Sequence, residues 1–163
     1  MNSIREVLEA DHRRLEGLLA KAMAPAGRID EPSYREFRSG LLRHIGIEEK
    51  ILFARARKRL GAPLPLAKQL RIEHGAIASL LVPPPDHALL RELEGLLSRH
   101  DALEEGDAGV YAECEALLAD EKDSILEEIR TFPAPKMNRH YDGPNVYRTA
   151  REALAASARQ RFR

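Results

Sequence analysis

The chain has 163 residues, and its 26 Lys and Arg are balanced by 26 Asp and Glu, so no net field recruits nucleic acid or an anionic membrane. That length supports one domain with a single substantial core. A lone Cys114 excludes an internal disulfide, and no apolar run approaches the roughly 18 residues of a spanning helix, so a soluble, cytoplasmic protein without a membrane partner is expected.

Apolar residues recur at steps of three and four, without the alternation of a strand, so every predicted element is a helix. Ser3 and Glu6 form a capping box for a helix striped by Ile4, Leu8, Leu15, Leu18 and Leu19, which fades near Met23 before the turn PAGRIDEP. Asp30 caps and Pro32 opens a second helix that runs unbroken to Leu60 and stops at Gly61. A third helix starts near Pro65 and ends before Pro83, and Asp86 caps a fourth. The fourth is disturbed at the sequence GDAG, residues 106–109, and resumes over residues 111–118. A short amphipathic segment, residues 120–130, precedes the loop TFPAPKMNRHYDGPN and a last helix over residues 146–161.

Four long helices joined by short turns predict an all-α fold. The expected architecture is an antiparallel up-down four-helix bundle over residues 1–130, with a C-terminal loop and helical arm, residues 131–163, packed on it. The arm's Arg148, Arg151, Arg159, Arg161 and Arg163 are expected on a solvated helix face.

Chemistry enters through the histidines. RHIGIEE places His44 four residues before Glu48, and RHDALEE places His100 four residues before Glu104. Positions four apart share a helix face, with Cβ atoms about 5–6 Å apart. Both pairs fall on apolar stripes, with Phe37 and Leu41 in one case and Leu93 and Leu96 in the other. His12 lies between Leu8 and Leu15, and His74 between Leu70 and Ile77. Each half of the chain is thus a helical hairpin with one histidine on its first helix and one His/Glu pair on its second, an internal repeat with approximate two-fold symmetry.

Unpaired buried carboxylates cost several kcal/mol each, and bound cations remove that cost. Imidazole suits iron, zinc and copper, whereas bridging carboxylates suit iron or manganese. Two metals, each with two imidazoles and sharing two carboxylates, use all six side chains. Height along the helices agrees for His12 and His44, which lie 12 residues before Ala24 and 12 after Pro32. In the second hairpin His74 is 8 residues before Val82 and His100 is 14 after Asp86, an offset of roughly 9 Å that the VPPP stretch must absorb.

The remaining candidates read as ordinary. Glu49 and Glu105 fall off the stripes and are expected to be solvated, although Glu105 is near enough to replace Glu104. His87 is expected to be exposed, His140 to lie in a surface loop, and Cys114 to be a packed thiol. No phosphate-cradling glycine loop, CxxC pair or nucleophile–histidine–acid set is present.

The ordered motifs DHRRL, RHIGIEEKILF, IEHGAI and RHDALEE resemble the hemerythrin HHE cation-binding family over residues 1 to 130. The resemblance implies a non-haem, carboxylate-bridged diiron centre held by His12, His44, Glu48, His74, His100 and Glu104, with the two glutamates bridging. Two departures stand out. Oxygen-carrying members have a second histidine four residues after the first on helix three, where this chain has Ala78. Their helix-four acid is an aspartate five residues after its histidine, and Glu104 comes at four. The four-histidine, two-glutamate set is more similar to the C-terminal domain of bacterial di-iron proteins that repair iron–sulfur centres.

The expected function is a diiron module that binds or reacts with a small diatomic ligand (dioxygen or nitric oxide) or with peroxide, in stress response, sensing or iron handling. Two alternatives are a diiron enzyme of peroxidase, nitric oxide reductase or iron–sulfur repair type, in which Tyr141 or His140 closes over the site, and a metal-free helical interaction domain.

Overall fold

The computed structural model describes residues 2–160, and among them every regular element is helical and no strand occurs. Helix α1, Ile4–Met23, begins at the complete capping box: Ser3 Oγ accepts the Glu6 amide at 3.1 Å, and Glu6 Oε2 accepts the Ser3 amide at 2.7 Å. Helix α2, Glu31–Ile47, has Pro32 in its first turn and the Asp30 carboxylate accepting the Ser33 amide.

The second helix does not run unbroken to Leu60. Glu48–Leu52 form one π-helical turn, in which the Phe53 amide reaches back five residues to the Glu48 carbonyl, before α3, Phe53–Leu60, resumes. A π turn inserts one residue and re-phases the helix beyond it. Ile51, Leu52, Phe53 and Ala56 are all buried as a result. Periodicity alone misses this turn, because its residues are ordinary helix formers.

Helix α4 is Ala67–Leu80 and α5 is His87–Glu104, the latter capped by Asp86. After the break come α6, Val110–Leu117, a short 3-10 turn at Ala119–Glu121, and α7, Lys122–Thr131. The last helix, α8, is Ala150–Gln160 and starts four residues later than expected, because the Thr149 hydroxyl accepts the Glu152 amide at 3.2 Å and sets the N-cap there. Arg148, Arg151 and Arg159 are exposed, whereas the expected end at Arg161 and the side chains of Arg161 and Arg163 lie outside the described residues. No described helix is long and apolar enough to cross a membrane.

Two apolar clusters fill the interior. One gathers Leu15, Leu19, Tyr34, Phe37, Leu41, Ile77, Leu80 and Leu93; the other gathers Ile4, Leu8, Ile47, Leu52, Leu70, Val110 and Ile125. Helices α1, α2 and α4 each contribute to both, and α5 reaches the second through the half-buried Leu103, so each crosses the layer between them. Helix α8 lies chiefly on α4 through Ala150, Ala153, Ala156 and Ser157. The approach is close: a Cβ at Gly75 would stand 2.4 Å from Ser157 Oγ, which donates to the Ile72 carbonyl at 2.7 Å.

His140 and Tyr141 do not close over the site. The exposed His140 stacks on Tyr34, and the Tyr141 amide bonds the carbonyl of Val82, which lies beyond the C-terminal end of α4 and about two helical turns past His74 in sequence. The buried Arg38 anchors this loop, donating to the carbonyls of Leu81 and Asn138. His87 is half-buried rather than exposed, since its Nε2 bonds the Met23 carbonyl at 2.9 Å. Cys114 is buried among apolar residues, and burial pushes its thiol up to about 12.

The GDAG break is a tight reversal of the backbone. Gly106 has φ of +81°, and a Cβ at Gly109 would stand 2.2 Å from the Glu105 carbonyl oxygen and 2.3 Å from that of Glu104. Gly109→Ala should destabilise the fold by about 1–3 kcal/mol through this backbone clash. Gly17→Ala, in exposed α1 with open space around it, should stabilise by about 0.5–1 kcal/mol. Denaturant titration reads both, and equal effects would show that the tight turn is not what requires glycine.

Candidate metal centre

The layer between the two apolar clusters holds His12, His44, Glu48, His74, His100 and Glu104, and none of them exposes more than 4 % of its surface. All six expected side chains are therefore brought together. The second hairpin meets despite its unequal helix lengths, because residues 81–86 take up the offset: His74 Nε2 and His100 Nε2 are 3.1 Å apart.

Each glutamate spans two histidine pairs. Glu48 Oε1 is 3.2 Å from His44 Nε2, and its Oε2 is 3.0 Å from His74 Nε2. Glu104 Oε2 is 3.4 Å from His12 Nε2, and its Oε1 is 2.9 Å from His100 Nε2. Glu48 Oε2 and Glu104 Oε1 are fully buried, and the imidazole nitrogens beside them are too poorly aligned to form a hydrogen bond. Buried carboxylate oxygens left this way are costly unless a cation faces them. The donor atoms form two groups that share both glutamates: His12, His44, Glu48 and Glu104, then Glu48, His74, His100 and Glu104, with the atoms of each group within 4.8 Å of one another. Each group has the donor set and spacing to hold a metal ion.

The outer nitrogens explain the paired acids in the motifs. His44 Nδ1 bonds Asp11 at 2.8 Å, His74 Nδ1 bonds Glu49 at 2.8 Å, His100 Nδ1 bonds Glu73 at 3.1 Å, and His12 Nδ1 bonds Glu105 at 2.6 Å. Each acid is adjacent in sequence to one member of the cluster and braces the histidine of a neighbouring helix. The order is cyclic, from α1 to α2, to α4, to α5 and back to α1. A carboxylate on Nδ1 keeps the proton there and turns the Nε2 lone pair inward, the usual support of a metal-binding imidazole. The braces are held in turn: Arg14 on Asp11, Arg71 on Glu49, Gln69 on Glu73 and Arg13 on Glu105.

Glu49 and Glu105 are thus half-buried bracing groups, contrary to the expectation that they are solvated. An apolar stripe on one helix carries no information about the neighbouring helix, so the reading of stripes misses them. The signal was present as DH, EE, EH and EE, an acid beside every inward donor or donor pair.

Sequence reasoning also missed Tyr111 and Asp101. Tyr111 is fully buried, and its hydroxyl oxygen is 3.0 Å from His12 Nε2, 3.0 Å from His44 Nε2 and 3.0 Å from Glu104 Oε2, and it also contacts Glu48 Oε1. It arrives from beyond the GDAG break, which resets the helical phase, so no stripe on α5 points to it. Asp101 Oδ1 is 3.8 Å from His12 Nε2. Phe53 stacks on His74 from the other side, with ring centroids 6.3 Å apart. Ala78 is only half-buried, and it is Ile77 that lines the space beside the cluster.

The charges are interdependent. Burial disfavours charge on His44 and His100, but the neighbouring carboxylates outweigh it, Glu48 holding His44 up to about 10 and Glu104 holding His100 up to about 9. His12 and His74 are raised in the same way. Burial pushes Glu48 and Glu104 up, and the imidazoles outweigh it and hold both below the usual carboxylate range. Asp11 is held down to about 2 against its burial by His44 and Arg14. Asp101, with less to offset its burial, is pushed up to about 6. Burial and the charges of Glu48 and Glu104 raise Tyr111 well above the phenol range.

A cavity of about 370 Å³ adjoins the cluster at His12, His44 and His100, walled by Leu15, Leu19, Phe37, Leu41, Ile77 and Leu97. Its walls are largely apolar, with Glu16, Glu94 and Ser98 also on them, and its inner end carries the donors, the usual form of a small-molecule site.

The chain matches no curated protein and no solved structure. One family profile does match, the hemerythrin HHE cation binding domain, over residues 3–132. The match spans α1 to α7 and includes every member of the cluster, its braces and Tyr111, and with the buried His/Glu cluster it points to metal binding. On that coverage the chain belongs to the hemerythrin HHE cation-binding domain family.

Proposed function

We propose that this protein is a non-haem diiron-binding module that binds or reacts with dioxygen, nitric oxide or peroxide. The observation that carries this reading is the placement of Glu48 and Glu104, each with one oxygen toward His12 and His44 and the other toward His74 and His100. In this reading His12 and His44 would hold one iron, His74 and His100 would hold the other, and Glu48 and Glu104 would be shared between them. Carboxylate bridging favours iron or manganese over zinc alone. We also read α1, α2, α4 and α5 as an antiparallel up-down bundle spanning residues 1–130, with residues 131–163 as an arm docked on it.

When bound, the irons supply one-electron chemistry toward oxygen- and nitrogen-based ligands. The chain's own residues prepare the site for it. Asp11, Glu49, Glu73 and Glu105 fix the imidazoles with their inner nitrogens free. The apolar layers on both sides exclude bulk water and so strengthen every charge interaction in the layer. The cavity accepts small neutral molecules, and Asp101, which burial pushes up to about 6, lines its inner end.

Protein expressed with iron should contain close to two irons per chain and show ferric charge-transfer absorption in the near ultraviolet. Stoichiometric zinc without iron under those conditions would overturn the diiron reading.

Substitutions should separate the bridges from the braces. Glu48→Ala or Glu104→Ala should abolish the two-metal site, whereas Glu49→Ala should weaken metal affinity by about 10- to 100-fold while keeping the stoichiometry. Equal and complete loss in Glu49→Ala and Glu48→Ala would show that the two acids have been assigned the wrong roles.

The pH dependence has a fixed sign. In the metal-free protein the folded values of about 10 for His44 and about 9 for His100 exceed the ordinary histidine value of roughly 6.5. Their stabilising effect is therefore complete below about pH 6.5 and is lost as pH rises through 9 and 10. The melting temperature of metal-free protein should fall from pH 8 to pH 10. Metal loading at pH 8 should release protons into a weakly buffered indicator solution, because the imidazoles must be neutral to bind. Loading without proton release would contradict imidazole ligation.

A further inference from the structure

The two halves of the cluster are not equivalent. The half built from His74 and His100 has two imidazole nitrogens and two carboxylate oxygens. The half built from His12 and His44 has the same set together with the Tyr111 hydroxyl oxygen, which approaches all four of its donors.

Hydrogen bonding does not account for that position once the imidazoles are neutral. A phenol has one proton to donate and at most two lone pairs to accept with. Glu48 Oε1 and Glu104 Oε2, as carboxylate oxygens, only accept, so the phenol proton serves one of them and leaves the other in an uncompensated oxygen–oxygen contact inside the core. Once neutral, as metal binding requires, His12 and His44 each keep the Nδ1 proton that their braces hold and present bare Nε2 lone pairs to the same oxygen. In that neutral state five electron-rich atoms face one another with a single proton among them.

A cation resolves this, and the spacing matches one. Ligands at about 2.1 Å from an ion and at right angles to one another stand about 3.0 Å apart. The Tyr111 oxygen is 3.0 Å from His12 Nε2, His44 Nε2 and Glu104 Oε2, while the neighbouring pairs His44–Glu48 and His12–Glu104 are 3.2 Å and 3.4 Å apart. The phenol oxygen thus stands at the spacing of a neighbouring ligand from His12, His44 and Glu104 alike.

We propose that Tyr111 is a fifth protein ligand, as a phenolate, to the metal held by His12, His44, Glu48 and Glu104. This rests on the diiron reading above and adds an asymmetry to it. The iron of the Tyr111 half has five protein ligands and the other has four. Burial and the two glutamates oppose ionisation of Tyr111 only while no cation is present, since a bound ion inverts the local preference. On loading, the phenol proton leaves together with those displaced from the imidazoles. The GDAG break has a functional reason here: it breaks α5 just after Glu104 and starts α6 where Tyr111 turns into the layer.

The test is spectroscopic. Ferric protein should show a broad visible phenolate-to-iron charge-transfer band, and excitation within it should enhance tyrosine ring modes in the resonance Raman spectrum. Tyr111→Phe should remove the band while keeping close to two irons and the near-ultraviolet absorption, and the Raman measurement on unmodified protein stands even if that variant does not fold. Two irons per chain with no visible band and no phenolate modes would overturn the ligation and leave the diiron reading intact. Failure to take up iron would instead overturn the diiron reading. A visible band that persists unchanged in Tyr111→Phe would also sink the proposal, because it would require a different phenolate.

Discussion

The structure turns on placing two carboxylates and four imidazoles in one dry layer. Apolar clusters press on that layer from both ends, so its charges are weakly screened. The fold answers with geometry: each glutamate faces two histidine pairs, and each histidine is braced from behind by another acid. Breaking any one member leaves a buried charge without its partner, which is far more damaging than losing an apolar contact. The same arrangement explains why imidazole and carboxyl groups move in opposite directions from their ordinary values, each stabilising the charged form of the other.

The helices themselves were readable from the sequence. Caps at Ser3, Asp30 and Asp86 fixed three helix starts, and the stripes around His12, His44, His74 and His100 placed those side chains inward without reference to any neighbour. What stayed hidden depends on two helices at once. Glu49 and Glu105 lie off the stripes of their own helices, and their roles emerge only when α4 and α1 come alongside. Tyr111 follows a backbone reversal that erases phase. The π turn at Glu48–Leu52 lacks any compositional sign, although it lies where the second helix must present two adjacent acids to different targets.

The paired acid letters now have a division of labour. In EE at 48–49 and again at 104–105, the first residue faces the centre and the second turns to the next helix. In DH and EH the acid comes first and the histidine faces inward. A substitution that swaps the order of either pair would keep composition and charge unchanged and still dismantle the layer.

The cyclic order of the braces has a consequence for how the protein comes apart. A linear stack of helices frays from its ends, because the terminal member has one neighbour fewer than the rest. A closed ring has no terminal member: lifting α1 removes the brace of His44 together with His12, and lifting α5 removes the brace of His12 together with His100. Four helices that are far apart along the chain therefore behave as one cooperative unit at this level, and partial opening at the centre is costlier than opening at either apolar end.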